Sequence, residues 1–132
     1  MEIVEYMYAG FGKILLSIAL ADGTIDTEEL NELDKMIRTE QEEYKIDLTV
    51  TKIVFKSNKY LKTENPLQLL EDGIKEFHLG DHHLTPKLAA SFRRLIFKTA
   101  KAKPPVTEEE KHALLEFLNY LNERELEECY NI

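Results

Sequence analysis

A chain of 132 residues fits one domain with a single core, and 43% hydrophobic with 32% charged residues is ordinary for a folded protein in water. No apolar run approaches the ~20 residues of a membrane span, and the single cysteine, Cys129, leaves no internal disulfide and no cysteine-rich metal site. The 17 basic and 25 acidic side chains give a net charge of −8, which argues against non-specific nucleic-acid binding, and Glu2 and Glu5 stand where a secretory signal carries basic residues, so a cytoplasmic location is expected.

Ile3, Met7, Phe11, Ile14 and Ile18 recur at spacings of three and four and predict a first helix over 2–21, with Gly10 and Gly12 permitting close packing. A corner follows, Ala21-Asp22-Gly23-Thr24-Ile25-Asp26-Thr27-Glu28-Glu29. Gly23 suits the left-handed conformation that ends a helix, Ile25 points back to the core, and Asp26 with Glu29 forms a capping box for the next helix. Leu30, Leu33, Met36 and Ile37 carry that second helix from Thr27 to about Gln41, in an antiparallel or steeply angled hairpin. Residues 46–55 favour strand locally, yet Val50, Ile53, Val54, Ser57 and Leu61 make a helical stripe and a lone strand has no partner, so a third helix is expected. Asn65-Pro66 and Thr85-Pro86 are N-cap and first-turn pairs. Leu67, Leu70, Ile74 and Phe77 follow the first as far as Gly80; Leu88, Phe92, Leu95, Ile96 and Thr99 follow the second until Pro104-Pro105. Thr107 with Glu110 repeats the capping box ahead of Leu114, Leu115, Phe117, Leu118 and Leu121, and residues 124–129 add a final turn or two. The expected fold is all-α, a single-domain bundle of about six to seven helices over residues 1–132.

Charge is unevenly distributed along these helices. Asp26 to Glu43 holds eight acidic residues against Lys35 and Arg38, whereas Pro86 to Val106 holds six basic residues and no acidic one. Lys87, Arg94, Lys98 and Lys101 fall within a stripe roughly 60° wide, opposite Leu88, Phe92, Leu95 and Thr99. A solvated face shows the same opposition. With no carboxylate in the helix to offset it, the stripe also fits docking against an acidic protein helix or an anionic inner leaflet.

Asp22, Asp26, Glu28 and Glu29 beside a glycine offer hard-cation oxygens, although the spacing is not that of an EF-hand and capping explains Asp26 and Glu29 without a metal. His78 and His82 have the i, i+4 spacing of a zinc helix, but Gly80 and Asp81 between them read as a helix end, which leaves His78, His82 and His83 in a solvated loop. His112 is isolated, and Cys129 beside Glu127 and Glu128 is disfavoured as a thiolate. There is no glycine-rich phosphate loop, no His-Glu-x-x-His helix and no serine or cysteine with a plausible base. Binding rather than catalysis is expected, with no small-molecule substrate indicated.

Sliding the chain on itself by 81 residues lays Leu16 on Phe97, Ala21 on Ala102, Ile25 on Val106, Glu29 on Glu110, Leu33 on Leu114 and Ile37 on Leu118. The second copy keeps the apolar framework and the glutamate but has Lys103-Pro104 for Asp22-Gly23. Ala21-Asp22-Gly23-x-Ile25-x-x-x-Glu29 after an apolar helix resembles the signature of TerB-like, tellurite-resistance domains, specifically over 14–37 and more weakly over 95–118.

That resemblance implies a bundle of two related helical hairpins in a bacterial cytoplasmic protein of the tellurite and chemical-stress response, working at the inner membrane with protein partners. It also implies a divalent cation (Ca, Mg, Mn or Zn) at Asp22 and Glu29, with Glu110 from the second copy, although Lys103 stands where a second aspartate is expected. The alternative is a metal-free helical adaptor that docks partners or an anionic membrane through its charged faces, with Lys87, Arg94, Lys98 and Lys101 as the contact. Asp22 is the corner residue whose role the second copy does not share.

Overall fold

In the computed structural model, which describes residues 2–21, 23, 25–57 and 65–130 and side chains as far as 127, every regular element is helical. The order is α1 (Ile3–Ala19), α2 (Thr27–Tyr44), α3 (Thr49–Phe55), α4 (Pro66–Leu79), a 3₁₀ turn (Asp81–His83), α5 (Pro86–Ala102) and α6 (Glu108–Tyr130). Among the described residues, no helix is long and apolar enough to cross a membrane.

α1 is the centre of the bundle because it is apolar on all sides. From Met7 to Ala19 every residue but Tyr8 and Lys13 is buried, and the helix packs on α4, α3 and α5. Its crossing with α4 is a backbone contact: a Cβ on Gly10 would lie 2.5 Å from the Gly73 carbonyl oxygen and closer still to the Phe77 amide nitrogen. Gly12 plays the same part towards α3, where a Cβ would lie 2.7 Å from the Thr51 carbonyl oxygen. Phe11 stacks on Phe92 with centroids 4.1 Å apart, and Phe77 meets Phe92 at 5.5 Å and Phe117 at 4.8 Å, so one aromatic cluster joins α1, α4, α5 and α6. Burying each of these rings contributes about 1.5–3 kcal/mol.

The third segment is helical as its periodicity predicts, but it buries a different face. Thr51 and Phe55 are in the core, while Ile53 is 65% exposed. Thr51 is tolerated there because its hydroxyl donates to the Tyr8 carbonyl at 2.7 Å. Leu61, the last member of the expected stripe, lies outside the described residues.

α2 runs to Tyr44, one turn beyond expectation, and ends at Lys45 with φ of 57°. The Gln41 side chain accepts the Leu48 amide at 2.7 Å and leads the chain into α3. α2 lies on α5, whereas α5 and α6 pack on each other. The two corners are therefore followed by different packing arrangements. α6 continues unbroken to Tyr130, with Leu114, Phe117 and Leu121 buried and Leu115 59% exposed.

Candidate functional site

The corner assembles as its residues dictate. Gly23 has φ of 90° and its amide donates to the Leu20 carbonyl at 2.7 Å. Asp26 Oδ1 accepts the Glu29 amide at 2.8 Å, and Thr107 Oγ1 accepts the Glu110 amide at 3.1 Å, so both helices begin with a side-chain cap. Glu29, expected to close its capping box, instead places Oε2 2.6 Å from Lys103 Nζ. The cation that faces the first corner is thus the lysine of the second. Glu110 is buried and lines a small cleft with Ser17, Ala21, Pro105 and Leu114. Asp22 lies outside the described residues, and among the described ones no group of three or more His, Cys, Asp or Glu side chains is placed to hold a metal ion.

The basic stripe is divided between the interior and the surface. Arg94 Nε is 2.8 Å and Nη2 2.7 Å from Glu40 Oε1, Nη2 also reaches Ser91 Oγ at 3.0 Å, and the guanidinium lies 3.8 Å from the Tyr44 ring centroid. Glu40 is fully buried, and its second oxygen has Lys98 Nζ 3.8 Å away. The carboxylate that α5 lacks comes from α2: the acidic helix and the basic helix are each other's partners inside the molecule. Lys87 and Lys101 are exposed, and the Lys98 side chain is 46% exposed.

A concave feature lies elsewhere, between α4 and α6. It is an open groove of about 810 Å³. Ile74, Ala113, Phe117 and Tyr120 form its floor, and Glu71, Lys75, Glu108, Glu109 and Glu116 its rim, together with His78 and His112. The α4 residues are spaced by three and four, as are those of α6, so the groove runs along both helices.

At one end stand His78 and Tyr120, part of a hydrogen-bonded triad that neither helix makes alone. Asp81 Oδ2 takes His78 Nδ1 at 2.7 Å and the Tyr120 hydroxyl at 2.8 Å, and the His78 and Tyr120 rings meet edge-on with centroids 4.7 Å apart. Burial, then the bond to Asp81, push the Tyr120 phenol up to about 12, so it remains a neutral donor. Burial alone would raise Asp81, but the bonds from His78 and Tyr120 and the charges of His78 and Arg124 outweigh it and hold Asp81 below its ordinary 3.8. An ionised Asp81 accepts, so Nδ1 of His78 carries the proton. Among the described residues, the groove lining holds no serine, threonine or cysteine for that imidazole to activate.

A carboxylate whose folded pKa lies below its unfolded value adds stability above the unfolded pKa and loses it as pH falls through the folded one. Wild-type protein is therefore expected to lose stability below about pH 4 more steeply than Asp81→Asn does. Circular dichroism across an acid titration measures this, and superimposable curves would contradict the triad.

Sequence reasoning placed His78 and Asp81 at a helix end but missed Tyr120, which is 39 residues away from Asp81 and carries no local signal. It also missed the groove, because Ile74 and Phe117 read simply as core positions. Comparison of the chain with family models, with curated proteins and with solved structures finds no match.

Proposed function

We propose that this chain is a non-catalytic helical binding domain whose working surface is the α4–α6 groove. The observation that carries the reading is an apolar floor of Ile74, Ala113 and Tyr120, open to solvent along walls made of two helices. Those walls are tied to one another. Phe77 and Phe117 pack edge-on beneath them, and the Asp81 triad ties the start of the 3₁₀ turn to α6. An apolar floor held between two packed helices, with charged side chains along its rim, has the form of a helix-recognition groove.

In this reading the first corner is structural. Lys103 supplies the cation that Glu29 holds, and no divalent ion is required there for folding. The resemblance of 14–37 to TerB-like domains supports a place in a bacterial tellurite or chemical-stress response, for which the readout is tellurite sensitivity of a strain lacking the gene.

A neutral solvatochromic dye, Nile red, tests the groove without prejudging the charge of its ligand. The expected result is saturable fluorescence enhancement, weakened at least about fivefold by Ala113→Trp, which fills the floor while leaving the far-UV spectrum and melting temperature unchanged. Dye binding that is absent, or indifferent to Ala113→Trp, overturns the proposal.

A further inference from the structure

We infer that the occupant of the α4–α6 groove is a basic amphipathic α-helix of a protein partner. The inference rests on the groove being the working surface and adds what fills it. Shape comes first. Two helices side by side leave a trough that a third helix fills by setting its side-chain ridge between theirs. The α6 wall runs from Glu108 to Tyr120, which at 1.5 Å per residue is about 18 Å, or just over three turns. A partner helix would place apolar side chains at i, i+3 or i+4, and i+7 over Ile74, Ala113, Phe117 and Tyr120, as in other helix-in-groove complexes.

Charge then selects the sign. Glu71, Glu108, Glu109 and Glu116 stand on the rim against Lys75. His112 Nε2 is 3.0 Å from Glu116 Oε1 and Glu108 takes Lys111 from outside the groove at 3.2 Å, so with Lys75 and Lys111 counted the rim still carries four carboxylates against two lysines. The rim sits on a chain of net charge −8, so the local and the overall field have the same sign. Nucleic acid and anionic lipid are repelled by both. A helix with Lys or Arg flanking its apolar stripe is attracted by both, and its aliphatic stems can lie along the groove walls while the charges reach the glutamates.

The triad gives the groove a defined end. Tyr120 and His78 are held against Asp81, so the floor stops at a fixed polar edge instead of continuing as an open apolar face.

Fluorescence anisotropy with synthetic helices tests the inference. The probe is a labelled peptide of about four turns with leucines at i, i+3, i+4 and i+7 and lysines on the flanks. Its controls are a scrambled peptide of equal composition and the same stripe flanked by glutamates. The basic amphipathic peptide is expected to bind at least about tenfold more tightly than either control, and Glu109→Lys with Glu116→Lys in one protein is expected to weaken it by at least about tenfold. Amide shifts in an NMR titration should centre on Ile74, Ala113, Phe117 and Tyr120. Equal binding of the scrambled peptide, tighter binding of the acidic one, shifts centred elsewhere, or groove-dependent pelleting with phosphatidylglycerol vesicles each overturns the inference. If Nile red binds in the groove and the basic helix does not, the occupant is wrong and the groove stands; if neither binds, both fail.

Discussion

Arg94→Met is expected to lower the free energy of unfolding by about 3 kcal/mol, a large share of the ~5–15 kcal/mol that holds a typical domain together. Glu40 is fully buried, and Arg94 supplies both contacts at its Oε1, at 2.8 and 2.7 Å. Methionine keeps most of the length of the side chain and its packing on Tyr44 but leaves that carboxylate with Lys98 alone, 3.8 Å from Oε2. Breaking a buried pair from one side costs about 3–5 kcal/mol because the orphaned charge stays out of water. Lys98 offsets part of this, which puts the expectation at the lower end. Arg94→Lys is not a rescue, since an ammonium can neither reach Ser91 and Glu40 together nor stack on the Tyr44 ring.

The companion variant decides the mechanism. Glu40→Leu with Arg94→Met removes both charges and is expected to recover stability to within about 1 kcal/mol of wild type, because a buried ion pair is often no better than a well-packed apolar one. Chemical denaturation of the two single variants and the double variant gives the coupling energy directly. A loss under 1 kcal/mol in Arg94→Met would show that Glu40 finds water or Lys98 readily, and that the α2–α5 contact does not depend on the pair.

Much of the fold was legible because local rules agreed with one another. Asn65-Pro66 and Thr85-Pro86 start α4 and α5, with the Asn65 and Thr85 side chains accepting the Gln68 and Leu88 amides at 3.1 Å each. Leu88, Phe92, Leu95, Ile96 and Thr99 are all buried, as their period required. The α3 face was not legible, because a helix of two turns has no long stripe to average over, and the deciding contact is Thr51 with the Tyr8 carbonyl 43 residues away. The acidic α2 and basic α5 were both visible as charge runs. Their pairing was not, since net charge says which surfaces attract and not whether the attracted surface belongs to the same chain. The groove was the least legible feature. It lies between α4 and α6, and a groove between two helices is a property of both together that no single periodicity contains.

Gly10→Ala is the substitution expected to cost most for its size. Alanine is the better helix former by about 0.8–1 kcal/mol, so on a solvent-facing helix the change would stabilise. Here the added methyl would sit 2.5 Å from the Gly73 carbonyl oxygen and nearer still to the Phe77 amide nitrogen. Both obstacles are backbone of α4 and have no rotamer by which to move aside. Ordinary van der Waals contact requires the helices to separate by about 1 Å, and overpacking of this kind usually costs about 1–3 kcal/mol and sometimes more. Because α1 is the helix on which α3, α4 and α5 rest, and because Phe77 belongs to the aromatic cluster, a net loss above about 3 kcal/mol is expected. Gly23→Ala is the internal comparison. Nothing lies within 4 Å of its Cβ position, and its φ of 90° limits the penalty to backbone strain of about 1–2 kcal/mol. Thermal and urea unfolding should therefore rank Gly10→Ala well below Gly23→Ala. Gly10→Ala should also weaken Nile red binding beyond what its loss of stability explains, because shifting α4 moves Ile74 and His78 relative to α6. The reverse ranking, or an undisturbed groove in a destabilised variant, would mean that α1 and α4 adjust without carrying the groove wall with them.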